Sequence, residues 1–200
     1  MRKQTFGSKI SKRRGAAMLA TYVLLMIPSG IVIAESSNME GKVKTDRWIE
    51  LAVVIDSSTE TLFELWTTEE GVDHFFGSGS NIDARLGGLY EISFGRRPDG
   101  KPPGPRGTRI LRYEKGKALS FEWQVPYFAH ELNTRPLPTW VEVRFSPFSD
   151  DGFSTLVEME HHGFGRSDQW NLVYDFFKRN WFDVLYRLKR YCEGPTGCSL

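Results

Sequence analysis

Trp170-Asn171-Leu172-Val173-Tyr174-Asp175-Phe176-Phe177-Lys178-Arg179-Asn180-Trp181-Phe182-Asp183-Val184-Leu185-Tyr186-Arg187-Leu188 is the stretch on which the fold turns. Trp170, Val173, Tyr174, Phe177, Trp181, Val184, Leu185 and Leu188 recur at steps of three and four, while Lys178, Arg179, Asp183, Arg187 and Arg190 fall on the other side. That period predicts one long amphipathic helix with a broad apolar stripe, which is stable in water only when another layer covers it.

Working back from it, the chain supplies that layer as strands. Thr155–His162 and Trp140–Phe145 alternate, with Asp150-Asp151-Gly152 as the turn between them. Ala118–Trp123 and Thr108–Tyr113 are joined by Lys115-Gly116, and Gly88–Phe94 and the short Ile82–Leu86 precede them. Trp48–Ile55 reads as a further strand. Between it and the others, Asp56-Ser57-Ser58 offers helix caps, Thr59–Thr67 has helical spacing, and Glu69–Phe76 reads as a second short helix ending at Gly77. The expected class is α+β: a curved antiparallel sheet wrapped around a long C-terminal helix, with two short helices after the first strand.

The N-terminus has a different texture. Its first 34 residues carry six basic side chains (Arg2, Lys3, Lys9, Lys12, Arg13 and Arg14) and no acidic ones. An apolar run follows Gly15, Pro28-Ser29-Gly30 breaks it, and Val32-Ile33-Ala34 offers a small-residue cleavage site. This is the order of an export signal, with cutting expected after Ala34. The alternative is an uncleaved membrane anchor, because Gly15–Ala34 is 20 residues long. Arg13-Arg14 is a weak twin-arginine pattern, since Gly15-Ala16-Ala17 follows it. The expected organisation is a signal over 1–34, a polar flexible lead-in over 35–46, a folded domain over 47–193 and a tail over 194–200. The product would be periplasmic or secreted.

Without the first 34 residues the balance is 20 basic against 25 acidic side chains, net −5. A nucleic-acid partner does not fit that charge. Cys192 and Cys198, five residues apart around Gly194-Pro195-Thr196-Gly197, either close a small disulfide loop or remain free thiols. Without nearby His or Cys partners they make a poor zinc pattern, and neither a metal nor a cofactor is expected.

The order of elements and several local stretches resemble a known family. These are Leu65-Trp66-Thr67-Thr68-Glu69-Glu70-Gly71 with Phe75-Phe76-Gly77, Arg85-Leu86-Gly87-Gly88-Leu89-Tyr90, Leu119-Ser120-Phe121-Glu122-Trp123, Thr155 to Phe164, and Asn180-Trp181 with Leu185 and Leu188. From about Ile49 to Tyr191 the chain resembles the START-like (SRPBCC) superfamily, with its helix-grip fold, in the branch related to the activator of the heat-shock chaperone ATPase. Two features depart from that branch: it is usually cytosolic, and Asn180 stands where glycine is common before the tryptophan. The resemblance implies a cavity between sheet and helix that receives apolar or amphipathic molecules; members include binders, transporters, cyclases and co-chaperones.

Strand alternation proposes a lining for such a cavity. Val157, Met159 and His161 share one face of their strand, opposite Glu158, Glu160 and His162. Phe121 with Trp123, and Tyr90, Ile92 and Phe94, would oppose Tyr174, Phe177 and Trp181. The same pattern serves a packed core. His161, expected at or inside the cavity mouth, is the candidate acid or base, against a reading as a buried core histidine. Gly95–Arg109, with Arg96, Arg97, Lys101, Arg106 and Arg109, reads either as a solvated loop or as a basic flap toward an anionic head group or a membrane surface. Val125–Pro138, bearing Tyr127, Phe128 and His130, has the length and aromatic content of a lid. No catalytic motif occurs. Three functions remain: non-catalytic binding of an apolar or amphipathic small molecule, a cyclase or dehydratase using the same cavity, and a co-chaperone-like module whose protein partner the sequence does not name.

Overall fold

The computed structural model describes residues 25–26, 31–33, 47–95, 104–134, 137 and 139–198. Its elements run β1 (Leu25–Met26), β2 (Ile31–Ile33), β3 (Arg47–Ile55), α1 (Thr59–Thr67), α2 (Glu69–Phe75), β4 (Asn81–Ile82), β5 (Tyr90–Glu91), β6 (Ile110–Glu114), β7 (Ala118–Trp123), a 3-10 segment (Tyr127–Leu132), β8 (Thr139–Pro147), β9 (Thr155–Phe164) and α3 (Asp168–Cys192). The main sheet has the order β1-β2-β3-β9-β8-β7-β6 and is antiparallel throughout. Five of these strands, β3 to β9 and back through β8 and β7 to β6, grip α3 as the helix-grip architecture requires.

Register explains why one face of the sheet is core. Leu51 pairs with Met159, Met159 with Val143, and Val143 with Leu119, so one buried row crosses four strands. The next row is Ile49, His161, Val141 and Phe121. A one-residue slip would turn both rows to solvent, so burial of the face specifies the pairing. The opposite face carries Glu50, Glu160 and Glu142 in direct cross-strand succession. Arg144 neutralises this row, reaching Glu142 at 3.2 Å and Glu160 at 2.5 Å, and Arg112 reaches Glu142 at 2.9 Å.

Against the apolar face α3 buries Val173, Phe177, Trp181, Val184, Leu185, Leu188 and Cys192. Each large side chain buried this way contributes about 1.5–3 kcal/mol. Ser167 caps the helix start by accepting from the Trp170 amide, and Asp168 follows where the helix dipole favours an acid. The two short helices share one residue as punctuation. Thr68 ends α1, and its hydroxyl, accepting from the Gly71 amide at 3.1 Å, starts α2.

Two expected strands shrink. Ile82–Leu86 and Gly88–Phe94 reduce to β4 and β5, with isolated bridges at Leu89 and Phe94. The left-handed turn at Gly87, φ 75°, breaks the chain between them. Backbone groups at 87–90 instead bond residues 108–110, as in Tyr90 N–H to Thr108 and Ile110 N–H to Gly88. Of the expected 1–34 signal, only β1 and β2 are described: Ile31–Ile33 pairs with Leu51–Val53 at the edge of β3. The rest of that segment and the lead-in over 35–46 lie outside the described residues. Among the described residues no helix is long and apolar enough to cross a membrane.

Candidate ligand cavity

Where β7 runs out at Trp123, the sheet stops covering α3 and the chain arches over it instead. Trp123 to Tyr127, His130 and Asn133 form one wall of a cavity of about 550 Å³, and Gly104-Pro105 with Phe94 a second. Phe76, just past α2, closes a third side, and the fourth is α3 itself through Phe176, Phe177, Asn180, Trp181, Val184 and Arg187. That volume lies in the range of pockets that enclose a small organic ligand.

The inner wall is a touching aromatic cluster: Phe76 to Trp123 5.4 Å between ring centroids, Phe76 to Trp181 5.2 Å and Trp123 to Trp181 5.4 Å. These three rings are buried, whereas Phe94, Tyr127 and His130 are exposed and mark the opening. Two amides hold the arch. Gln124 donates to the Arg106 carbonyl at 2.7 Å and accepts its amide at 3.2 Å. Asn133 does the same with Val125, accepting at 2.8 Å and donating at 3.2 Å. Gly104 adopts φ 131°, and a Cβ there would strike the Ile92 carbonyl, so only glycine brings this wall so close.

Of the residues that alternation nominated, Phe94, Trp123, Phe177 and Trp181 line the cavity. Tyr90, Ile92, Phe121, Val157, Met159 and His161 do not; they are fully buried in the core. The reason is depth along the sheet. Tyr90 stacks on Phe121 at 4.1 Å, and its hydroxyl donates to the Trp66 carbonyl at 2.9 Å. Burial pushes the Tyr90 phenol far up, which fits a structural hydroxyl rather than an acid. Tyr174 lies on another flank of α3, where its hydroxyl meets the Trp48 carbonyl at 3.4 Å and the Arg47 guanidinium covers its ring.

His161 differs from expectation in the same way. It is fully buried, accepts from the Trp181 indole at Nδ1 over 2.9 Å and is enclosed by Phe164 and Phe177. Burial, with the neighbouring His162 charge second, holds its pKa well below 6.5. It therefore sits neutral behind the wall that Trp181 forms.

Sequence periodicity missed Phe76, Phe176, Asn180, Val184 and Arg187 as lining residues. Arg187 falls among the charged residues opposite the apolar stripe, and Asn180 belongs to neither set. The lid segment was the signal that did point here, through Tyr127 and His130. The basic flap is only partly described: Arg96, Arg97 and Lys101 fall outside the described residues. Arg106 pairs with Glu91 at 3.6 Å, and Arg109 donates to the Gly87 carbonyl at 3.1 Å, so these two strap the loop to β5 and its neighbours. Among the described residues no group of three His, Cys, Asp or Glu is placed to hold a metal ion. Among the described residues the cavity lining contains no Ser, Cys, Asp or Glu, and its chemistry is that of an apolar receptacle with a polar rim.

At the far end of α3, Cys192 and Cys198 form a disulfide. It folds the tail back so that Cys198 sulfur lies 3.3 Å from the Ser57 hydroxyl, beside the cap of α1.

Solved structures with the same architecture include the solution structure of the Aha1 dimer from Colwellia psychrerythraea, with 15% identity, 76% of this chain and 99% of that one covered, and a TM-score of 0.57. Protein MLL2253 from Mesorhizobium loti has 18% identity, 72% and 95% coverage and a TM-score of 0.55. CalU16 from Micromonospora echinospora has 22% identity, 76% and 79% coverage and a TM-score of 0.51. At such identities the likeness is one of fold. No curated protein matches the sequence. The family model described as Activator of Hsp90 ATPase homolog 1-like protein matches residues 56–193, from the turn before α1 to the residue after α3, and the chain belongs to that family.

Proposed function

We propose that this chain binds an apolar or amphipathic small molecule, lipid-like or aromatic, in the cavity under the Gln124–Asn133 arch, without catalysing a reaction on it. The observation that carries the reading is the 550 Å³ space walled by Phe76, Trp123, Phe177 and Trp181. A core built only for stability would fill such a volume, since interiors pack to near-crystalline density. The cyclase or dehydratase alternative has His161 as its first acid–base candidate, and His161 is not a lining residue but bonds the far side of Trp181, which is one. The co-chaperone alternative rests on the family name, and a fold family alone does not carry a partner across.

We further propose that the work is done outside the cytoplasm, after removal of residues 1–34. The basic-then-apolar N-terminus and a disulfide between the chain's two cysteines both support export.

The binding reading is tested with N-phenyl-1-naphthylamine, a neutral probe that brightens in apolar surroundings, and with Asn180→Trp, which places an indole in the mouth from an exposed helix position. Saturable micromolar enhancement by the wild type, weakened at least tenfold in Asn180→Trp at unchanged melting temperature, supports it. No enhancement, or equal enhancement by both proteins, overturns it.

A further inference from the structure

The polar groups on the cavity wall are not equivalent. The side-chain amides of Gln124 and Asn133 have both ends engaged by backbone. The side-chain N–H of Asn180 is returned to the Phe176 carbonyl at 2.7 Å. His130 has the Tyr127 carbonyl at 3.2 Å and Glu131 at 3.4 Å. Arg187 stands apart. Its Nε donates to the Asp183 carbonyl at 3.3 Å, one turn back on α3, and its guanidinium makes no ion pair among the described residues. Arg85, Arg106, Arg112 and Arg144 sit within 4.0 Å of a carboxylate; Arg179 shares the arrangement of Arg187, its Nε on the Asp175 carbonyl at 3.3 Å, but does not line the cavity.

We infer, resting on the binding reading above, that the ligand carries an acidic head group and that Arg187 receives it at the mouth, with the apolar body against Trp123 and Trp181. Among the described residues the lining offers an anion a guanidinium and contains no carboxylate of its own. A planar fork of unpaired N–H donors matches carboxylate or phosphate geometry, and such charge-assisted bonds are about twice as strong as neutral ones. A ligand without an acid gains only the weaker hydrogen bonds of a neutral acceptor from it. Asn180, about two turns before Arg187 on α3, lines the same wall.

The test is displacement of N-phenyl-1-naphthylamine at neutral pH by decanoate, decyl phosphate and decan-1-ol, which share a chain and differ in the head. The inference predicts that at least one acid binds about tenfold more tightly than the alcohol, with whichever acid is preferred identifying the head group. It also predicts that Arg187→Gln brings that ratio to near one. Equal affinities for acids and alcohol in the wild type, or an acid preference that survives Arg187→Gln, overturns the acidic-head assignment while leaving the cavity reading intact. Failure of all three compounds to displace a bound probe overturns the assignment as well, and failure of the probe itself to bind removes the cavity reading beneath it.

Discussion

The indole N–H of Trp181 donates to Nδ1 of His161 over 2.9 Å, in a part of the core where both side chains are buried. The bond joins α3 to β9 and fixes the neutral imidazole with its proton on Nε2, which has no partner among the described residues. It also fixes the ring of Trp181, one of the cavity walls. His161→Leu leaves the indole N–H unpaired in the core and is expected to cost about 1–3 kcal/mol. Trp181→Phe leaves Nδ1 unpaired and removes ring volume as well. The double variant is expected to lose less than the two single losses added, by about 1 kcal/mol. Urea unfolding of the four proteins measures this; strict additivity would show that the bond contributes nothing.

The pH dependence of stability has two separate origins. His161 is held neutral, so as pH falls below about 6.5 the unfolded chain takes up a proton that the folded one refuses, and stability declines. His161→Leu is expected to flatten this decline below about pH 6.5.

Glu160 acts at lower pH. A hydrogen bond from His162 at 2.8 Å, together with the Arg144 guanidinium, brings its pKa to about 2, against an opposing push from partial burial. Its folded pKa lies below the ordinary 4.5, so the stabilisation is complete above 4.5 and is lost as pH falls toward about 2. Glu160→Gln is expected to be less stable by roughly 1–2 kcal/mol at pH 7, with the deficit closing across that window. A constant deficit from pH 7 to 2 would contradict the assignment.

The disulfide closes a short loop, and the chain-entropy estimate for it is about 2 kcal/mol. Around it Glu193 accepts from the Asp56 amide at 3.2 Å and from Lys189 at 2.6 Å, so the end of α3 is tied to the turn before α1. Reduction, or Cys192→Ser with Cys198→Ser, is expected to lower the melting temperature by several degrees while probe binding in the cavity along the middle of α3 is unchanged. A parallel loss of binding would show that the staple positions the cavity.

β2 belongs to the segment read as an export signal, and it pairs with Leu51–Val53 along the edge of β3. Cleavage after Ala34, as proposed, would remove that pairing and leave the pairing of β3 with β9 in place. A secreted product is expected to begin at Glu35 by intact mass and to fold with probe binding like that of the complete chain. A secreted product that retains residues 25–33 would contradict removal of the signal and assign β2 to the mature sheet.

Much of the fold was legible because periodicity reports which face of an element is apolar. α1 and β7 begin and end where their patterns do, at Thr59–Thr67 and Ala118–Trp123. The amphipathic stripe located α3 to within two residues of Asp168. Periodicity does not report depth. Phe121 and Trp123 share a face of β7, but Phe121 is packed under Tyr90 while Trp123, two residues on, reaches the cavity. Nor does it show where a sheet ends beneath a helix. Arg187 sits opposite the apolar stripe on a helical wheel, and it lines a cavity because β7 stops at Trp123. His161, which the sequence left between a group at the cavity mouth and a buried core histidine, lies in the core, since the inward face of β9 leads there at that depth.

The most direct measurement is native mass spectrometry of the purified wild type and of Asn180→Trp, each incubated with N-phenyl-1-naphthylamine and decanoate and then extracted with solvent. Binding in the Gln124–Asn133 cavity predicts a one-to-one adduct on the wild type, released intact by the solvent and absent from the variant. Bare wild-type polypeptide, or equal adducts on both proteins, would contradict a ligand cavity at this site.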